Sequence, residues 1–165
     1  MASTPYLNLL EALRTNCSLP EFPDPLPSTQ LDLELENGPT ITIDFDEESE
    51  FVELFSELGT YPLERELEIL KNIASSNFLW SATNGATLSV RPEIQTAYLA
   101  LQLPVLSLSE TDFVNLVEKF VETAVRWRGI LSGSATEEAS LAENSQQPLD
   151  ADSKLPSPQD NFIKA

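Results

Sequence analysis

The side chains of this chain that could do chemistry are carboxylates, and they gather in two places. Asp44, Asp46 and Glu48 alternate through one acidic stretch, and Glu64 and Glu68 stand about one helical turn apart. Alternating carboxylates invite a calcium loop, because a hard cation takes oxygen ligands at fixed intervals. The spacing fails: counted from Asp44, the sixth position should be Gly and the twelfth Glu, and these hold Ser49 and Phe55. Paired carboxylates hydrolyse a glycoside only from an enclosed cleft at a defined separation, whereas Glu64 and Glu68 fall on the solvated face of a helix. With no His and one Cys, a Ser-His-Asp triad, a Cys-His pair and a Cys/His zinc site are excluded within the chain. Gly85 stands without the glycine-lysine run of a phosphate loop. These residues predict binding rather than catalysis, with no metal and no cofactor.

The elements that would position a binding surface are written in the spacing of apolar residues. The longest runs from Ser109 to Leu131, where Phe113, Leu116, Phe120, Ala124, Trp127 and Leu131 recur every three or four residues, with Val117 and Val121 beside them. Ser109 is its expected N-cap, and Glu110 and Asp112 suit the positive end of the helix dipole. Such a helix needs a sheet to cover, so it is read as a lid. Upstream, Thr4 and Pro5 open a short helix carrying Tyr6, Leu7, Leu9, Leu10 and Leu13, more apolar than one buried face requires. Pro20, Pro23, Pro25 and Pro27 then form a stiff strap.

From Leu31 the period becomes two. Leu31, Leu33 and Leu35 alternate with acidic residues, Asn37-Gly38-Pro39 turns the chain, and Ile41, Ile43 and Phe45 alternate back, a half-buried hairpin. Residues 51–58 are ambiguous, since Phe51, Leu54, Phe55 and Leu58 fit a helix while Val52, Leu54 and the nearby Gly59 allow a strand. Pro62 starts a second helix with Leu63, Leu67, Leu70 and Ala74 on one stripe and Ile69 and Ile73 on another, which predicts two neighbours. A second alternating pair follows, Ala86, Leu88 and Val90 against Ala97, Leu99, Leu101 and Leu103, with Tyr98 and Ala100 calling for cover on the opposite face as well. The fold class is α+β, a twisted antiparallel sheet of about five strands with three helices in the order α-β-β-β-α-β-β-α. Residues 1–131 form the domain. Residues 132–165, rich in Ser, Glu, Gln, Asp and Pro, are predicted to be a disordered tail.

The chain has 165 residues and a net charge of −18, so nucleic acid and anionic membranes, which reward basic patches, are poor partners. A basic or an apolar partner fits better, unless the charge serves only solubility. The apolar run from Ala97 to Leu108 is too short to span a bilayer and is broken by Gln102 and Pro104. The lone Cys17 forms no internal disulfide, and no signal peptide is evident, which predicts a reducing cytoplasm.

Particular stretches carry a resemblance. Asn77 followed by Thr83-Asn84-Gly85-Ala86-Thr87-Leu88, then Leu99-Ala100-Leu101-Gln102-Leu103-Pro104-Val105, Phe120 through Arg128 with Trp127, and Leu58-Gly59-Thr60-Tyr61-Pro62 resemble segments of the class I type III secretion chaperones, the family of the Tir chaperone. The resemblance covers roughly residues 4 to 131 and tips 51–58 towards strand; the proline strap and the tail are longer than its pattern. It implies a homodimer in the bacterial cytoplasm, without enzymatic activity, that holds the N-terminal region of a secreted effector extended over apolar surface. The secretion ATPase is a further implied partner. On this reading Leu7, Leu10, Leu31, Leu33, Leu35, Ile41 and Ile43 bind cargo, with a sheet edge open to an added strand. Leu67, Leu70 and Tyr98 form the dimer interface. The rival reading is an acidic adaptor or regulator that grips a folded basic protein through its carboxylates.

Overall fold

The computed structural model describes residues 4–22, 30–35 and 38–134. The expected strap lies mostly, and the expected tail from residue 135 wholly, outside them. Eight elements follow in the predicted order: α1 (Thr4–Asn16), β1 (Gln30–Glu34), β2 (Thr40–Asp46), β3 (Phe51–Thr60), α2 (Glu66–Asn77), β4 (Thr87–Arg91), β5 (Thr96–Pro104) and α3 (Glu110–Ser132). Short 3-10 turns link several of them, and one of these, Leu63–Arg65, takes the chain from Pro62 into α2.

The strands form one antiparallel sheet in the order β1-β2-β3-β5-β4. Residues 51–60 are strand, and the reason for the ambiguity is visible in the register. Val52, Leu54 and Leu58 point into the core with the buried Ser56 between them, while Phe51 and Phe55 sit on the opposite face and complete a false helical spacing. Ser56 satisfies its hydroxyl by donating to the Thr40 carbonyl at 2.8 Å. A register shift between Glu57 and Gly59 bends the strand, and Gly59 takes a φ of 115°, which a residue with Cβ adopts only under strain.

Ile41, Ile43, Phe45, Val52, Leu54, Leu88, Leu99 and Leu103 make the inner face. Helix α3 covers it over β3, and α1 packs beside α3 on the same side. Tyr6 stacks on Phe45 with ring centroids 4.6 Å apart. This corrects the view of α1 as an over-apolar helix with surface to spare: Tyr6, Leu9, Leu10 and Leu13 are all buried, and only Leu7 of the set is exposed. Helix α3 begins as expected. The Ser109 hydroxyl accepts from the Asp112 N–H at 3.1 Å. It ends where Gly133 turns left-handed, with Gly133 and Ser134 amides returning to the Ile130 and Gly129 carbonyls. Helix α2 lies along the β4 end of the sheet and buries Ile69 and Ile73. Arg65, just ahead of it, donates to the Ile130 and Leu131 carbonyls at the end of α3.

Candidate functional site

The acidic residues singled out by spacing serve the fold. Asp46 holds the β2–β3 turn, accepting from the Glu48 N–H at 2.9 Å and the Ser49 hydroxyl at 2.6 Å. The Ser49 hydroxyl, and then the Glu48 amide, keep its carboxyl below the usual carboxylate range. Glu68 pairs with Arg65 at 2.8 Å. Among the described residues no cluster of three or more His, Cys, Asp or Glu could hold a metal ion, and no helix is long and apolar enough to cross a membrane.

The sheet has two edges, and they differ. At β4, Asn77 reaches down from the end of α2 and occupies the strand's outward groups. Its Nδ2 donates to the Leu88 carbonyl and its Oδ1 accepts from the Leu88 N–H, both at 2.9 Å. One side chain thus makes, at Leu88, the two bonds that a neighbouring strand would supply there. The other edge is β1, whose only strand partner among the described residues is β2. An edge of this kind is a template for another extended chain.

Beside β1 lies a groove of about 830 Å³, within the range of ligand-binding clefts. Leu13 and Cys17 from the end of α1, with Leu19, form one wall. Leu33 and Leu35 supply the β1 side, and Val117 and Val121 of α3 the third. Carboxylates border it: Asp32 and Glu34 on β1 and Glu118 and Glu122 on α3, all exposed. Burial, and then the negative charge of Glu118, push the Cys17 thiol above its ordinary value.

The structure divides the seven candidate cargo residues. Leu10, Ile41 and Ile43 are 2%, 0% and 0% exposed and belong to the core, because α1 and α3 close over the inner face where β2 directs both isoleucines. Leu7 is exposed, and Leu31, Leu33 and Leu35 are half-buried at the open edge. Leucine spacing identified the face but could not tell which positions α1 would cover. Half of the groove is not marked by spacing: helix α3, which its pattern makes a lid, also gives Val117, Glu118, Val121 and Glu122 to a groove wall, and the position of Val121 at the margin of the apolar stripe is the one signal of it in the sequence.

A second apolar surface lies on α2. Leu63 and Leu67 are 64% and 66% exposed, and Leu70 is half-buried. Just past α2, Phe78, Leu79 and Trp80 are also exposed, on a turn where Leu79 and Trp80 both have φ near 52°. Tyr98 lies on the outer face of the sheet, stacked on Phe55 with ring centroids 5.6 Å apart. Phe78 to Trp80 were not recognised from sequence, where they read only as the approach to the Asn84-Gly85 turn.

This is an α+β domain with an open edge strand, an apolar groove beside it, and a free apolar helix stripe. The chain belongs to the Tir chaperone protein (CesT) family, whose sequence profile matches residues 8–128. No curated protein matches it in sequence. Three solved structures share its fold at low identity. A chain of the ExsC-ExsE complex aligns with a TM-score of 0.58 at 18% identity, covering 79% of this chain and 97% of that one. The HopA1-SchA chaperone-effector complex gives 0.58 at 15% identity, covering 78% and 94%. The heterodimeric ExoU-SpcU complex from the type III secretion system of Pseudomonas aeruginosa gives 0.56 at 15% identity, covering 74% and 93%.

Proposed function

We propose that this protein is a chaperone of bacterial type III secretion, acting in the cytoplasm, which holds the N-terminal region of a secreted effector in an extended state. The observation that carries the mechanism is the asymmetry of the sheet edges: on β4 the outward groups of Leu88 are taken up by Asn77, while β1 is open and borders an apolar groove. Strand addition supplies main-chain hydrogen bonds that tolerate many sequences, and the groove takes alternate side chains. Leu33 and Leu35, which line the groove, Leu31 on the same strand and the exposed Leu7 on α1 are the contacts assigned to such a segment. Family membership and the fold shared with subunits of effector complexes support the reading. The test is capture of the co-purifying effector by wild-type protein and by Leu33→Asp. A folded variant that captures as well as wild type removes the site.

The chain works as a homodimer on the same reading, joined through Leu67, Leu70 and Tyr98, with Leu63 and Phe78 extending the surface. Exposed aliphatic groups such as Leu63 and Leu67, at 64% and 66%, are what an unpaired protomer would show. Light scattering decides it, and a clean monomer at micromolar concentration rules the interface out. The secretion ATPase follows as a partner from the family alone. The adaptor reading keeps one supporting observation, the net charge of −18. It predicts binding that collapses with salt and ignores Leu33→Asp.

A further inference from the structure

The groove between α1, β1 and α3 is apolar in its floor and negative at its border. Leu13, Leu19, Leu33 and Val117 are its apolar lining, and Asp32, Glu34, Glu118 and Glu122 stand around it. Among the described residues no lysine or arginine lines it; Arg14, the only cation of α1, is paired with Glu11. Glu118 and Glu122 are four residues apart on α3 and therefore share a face, a like-charge arrangement that costs an isolated helix stability. A cationic occupant of the groove would offset that repulsion.

We infer that the groove selects a cargo segment whose aliphatic anchors are interleaved with lysine or arginine, the acidic border reading the charge and the floor reading the anchors. This rests on the groove being the cargo site and adds what the cargo must look like there. Aliphatic burial supplies affinity, and the carboxylates set choice, since charge complementarity across an interface governs specificity and encounter more than total affinity. Neutral or acidic segments with the same anchors bind less well, because their approach leaves the four bordering carboxylates facing apolar or negative groups.

Cys17 makes the test local, being the only cysteine of the chain, exposed, and part of the groove wall. The probes are two synthetic peptides with leucine at alternate positions, one with lysine between them and one with glutamate. Full-length protein is treated with a maleimide, with and without each peptide. The lysine peptide should slow Cys17 modification about tenfold and the glutamate peptide should not. Glu118→Gln with Glu122→Gln, both at exposed positions, should weaken the lysine peptide roughly three- to tenfold, as expected for two exposed ion pairs. Removing the Glu118 charge also makes the thiol ionise more readily, so protection is compared within each variant. Equal protection by both peptides, or a lysine peptide unaffected by the double substitution, overturns the charge selection while leaving the groove as a binding site. If no peptide shields Cys17 and captured cargo does not shield it either, the groove itself falls, and with it the charge selection.

Discussion

At the scale of single residues, Asn77 carries more than its polarity suggests. Replacing it with Ala leaves the outward, part-buried N–H and C=O of Leu88 without that partner, which should cost about 1–3 kcal/mol in urea denaturation. The same change opens the β4 edge, so the variant should self-associate with concentration in light scattering. Tyr6 gives a pH prediction. Burial, and then the charge of Asp44, hold its phenol well above the ordinary value. The fold favours the neutral form, so the stability it contributes is complete below about pH 10, where an unfolded tyrosine begins to ionise. It is lost as pH rises further. Tyr6→Phe should therefore shed part of the alkaline decline seen in wild type, measured as stability against pH. Neither role was legible in the chain: Asn77 was marked by its place in a pattern, but its partner lies 11 residues on, across a turn. Ile41 and Ile43 have the same period-two spacing as Leu31 and Leu33, and only the packing of the helices separates buried from available.

At the scale of elements, spacing served well wherever one face is dry and one is wet. Helix α3 shows it, with Phe113, Phe120, Ala124, Trp127 and Leu131 buried as their intervals required. Strand β3 shows the limit, since aromatic residues on its outer face and Ser56 on its inner face blur a period of two into one resembling a helix. Because α3 both covers the sheet and walls the groove, its anchors should matter to fold and binding together. Trp127, 1% exposed, should cost about 3–5 kcal/mol when replaced by Ala, and loss of the Ser109 cap in Ser109→Ala about 1 kcal/mol. Chemical denaturation checks both, and the cap variant, mild enough to leave the protein folded, should retain cargo capture.

At the scale of the whole molecule, a strongly negative chain presents three kinds of surface: an open strand edge with its groove, an exposed apolar stripe on α2, and a carboxylate-rich remainder. Composition revealed the third, and periodicity implied the second through the two stripes of α2. The first needed topology, because no local pattern says which strand ends up at an edge or where two helices leave a gap. Its use for extended polypeptide is the central claim. The most direct measurement is amide hydrogen exchange of the full chain, alone and with the partner that co-purifies from its native host. Binding should slow exchange in β1, at Leu31 to Glu34, and along the groove walls of α1 and α3, and Leu33→Asp should abolish both the capture and the protection. A tightly bound partner that leaves β1 exchange unchanged, with protection confined to the outer carboxylate surface, would contradict the account.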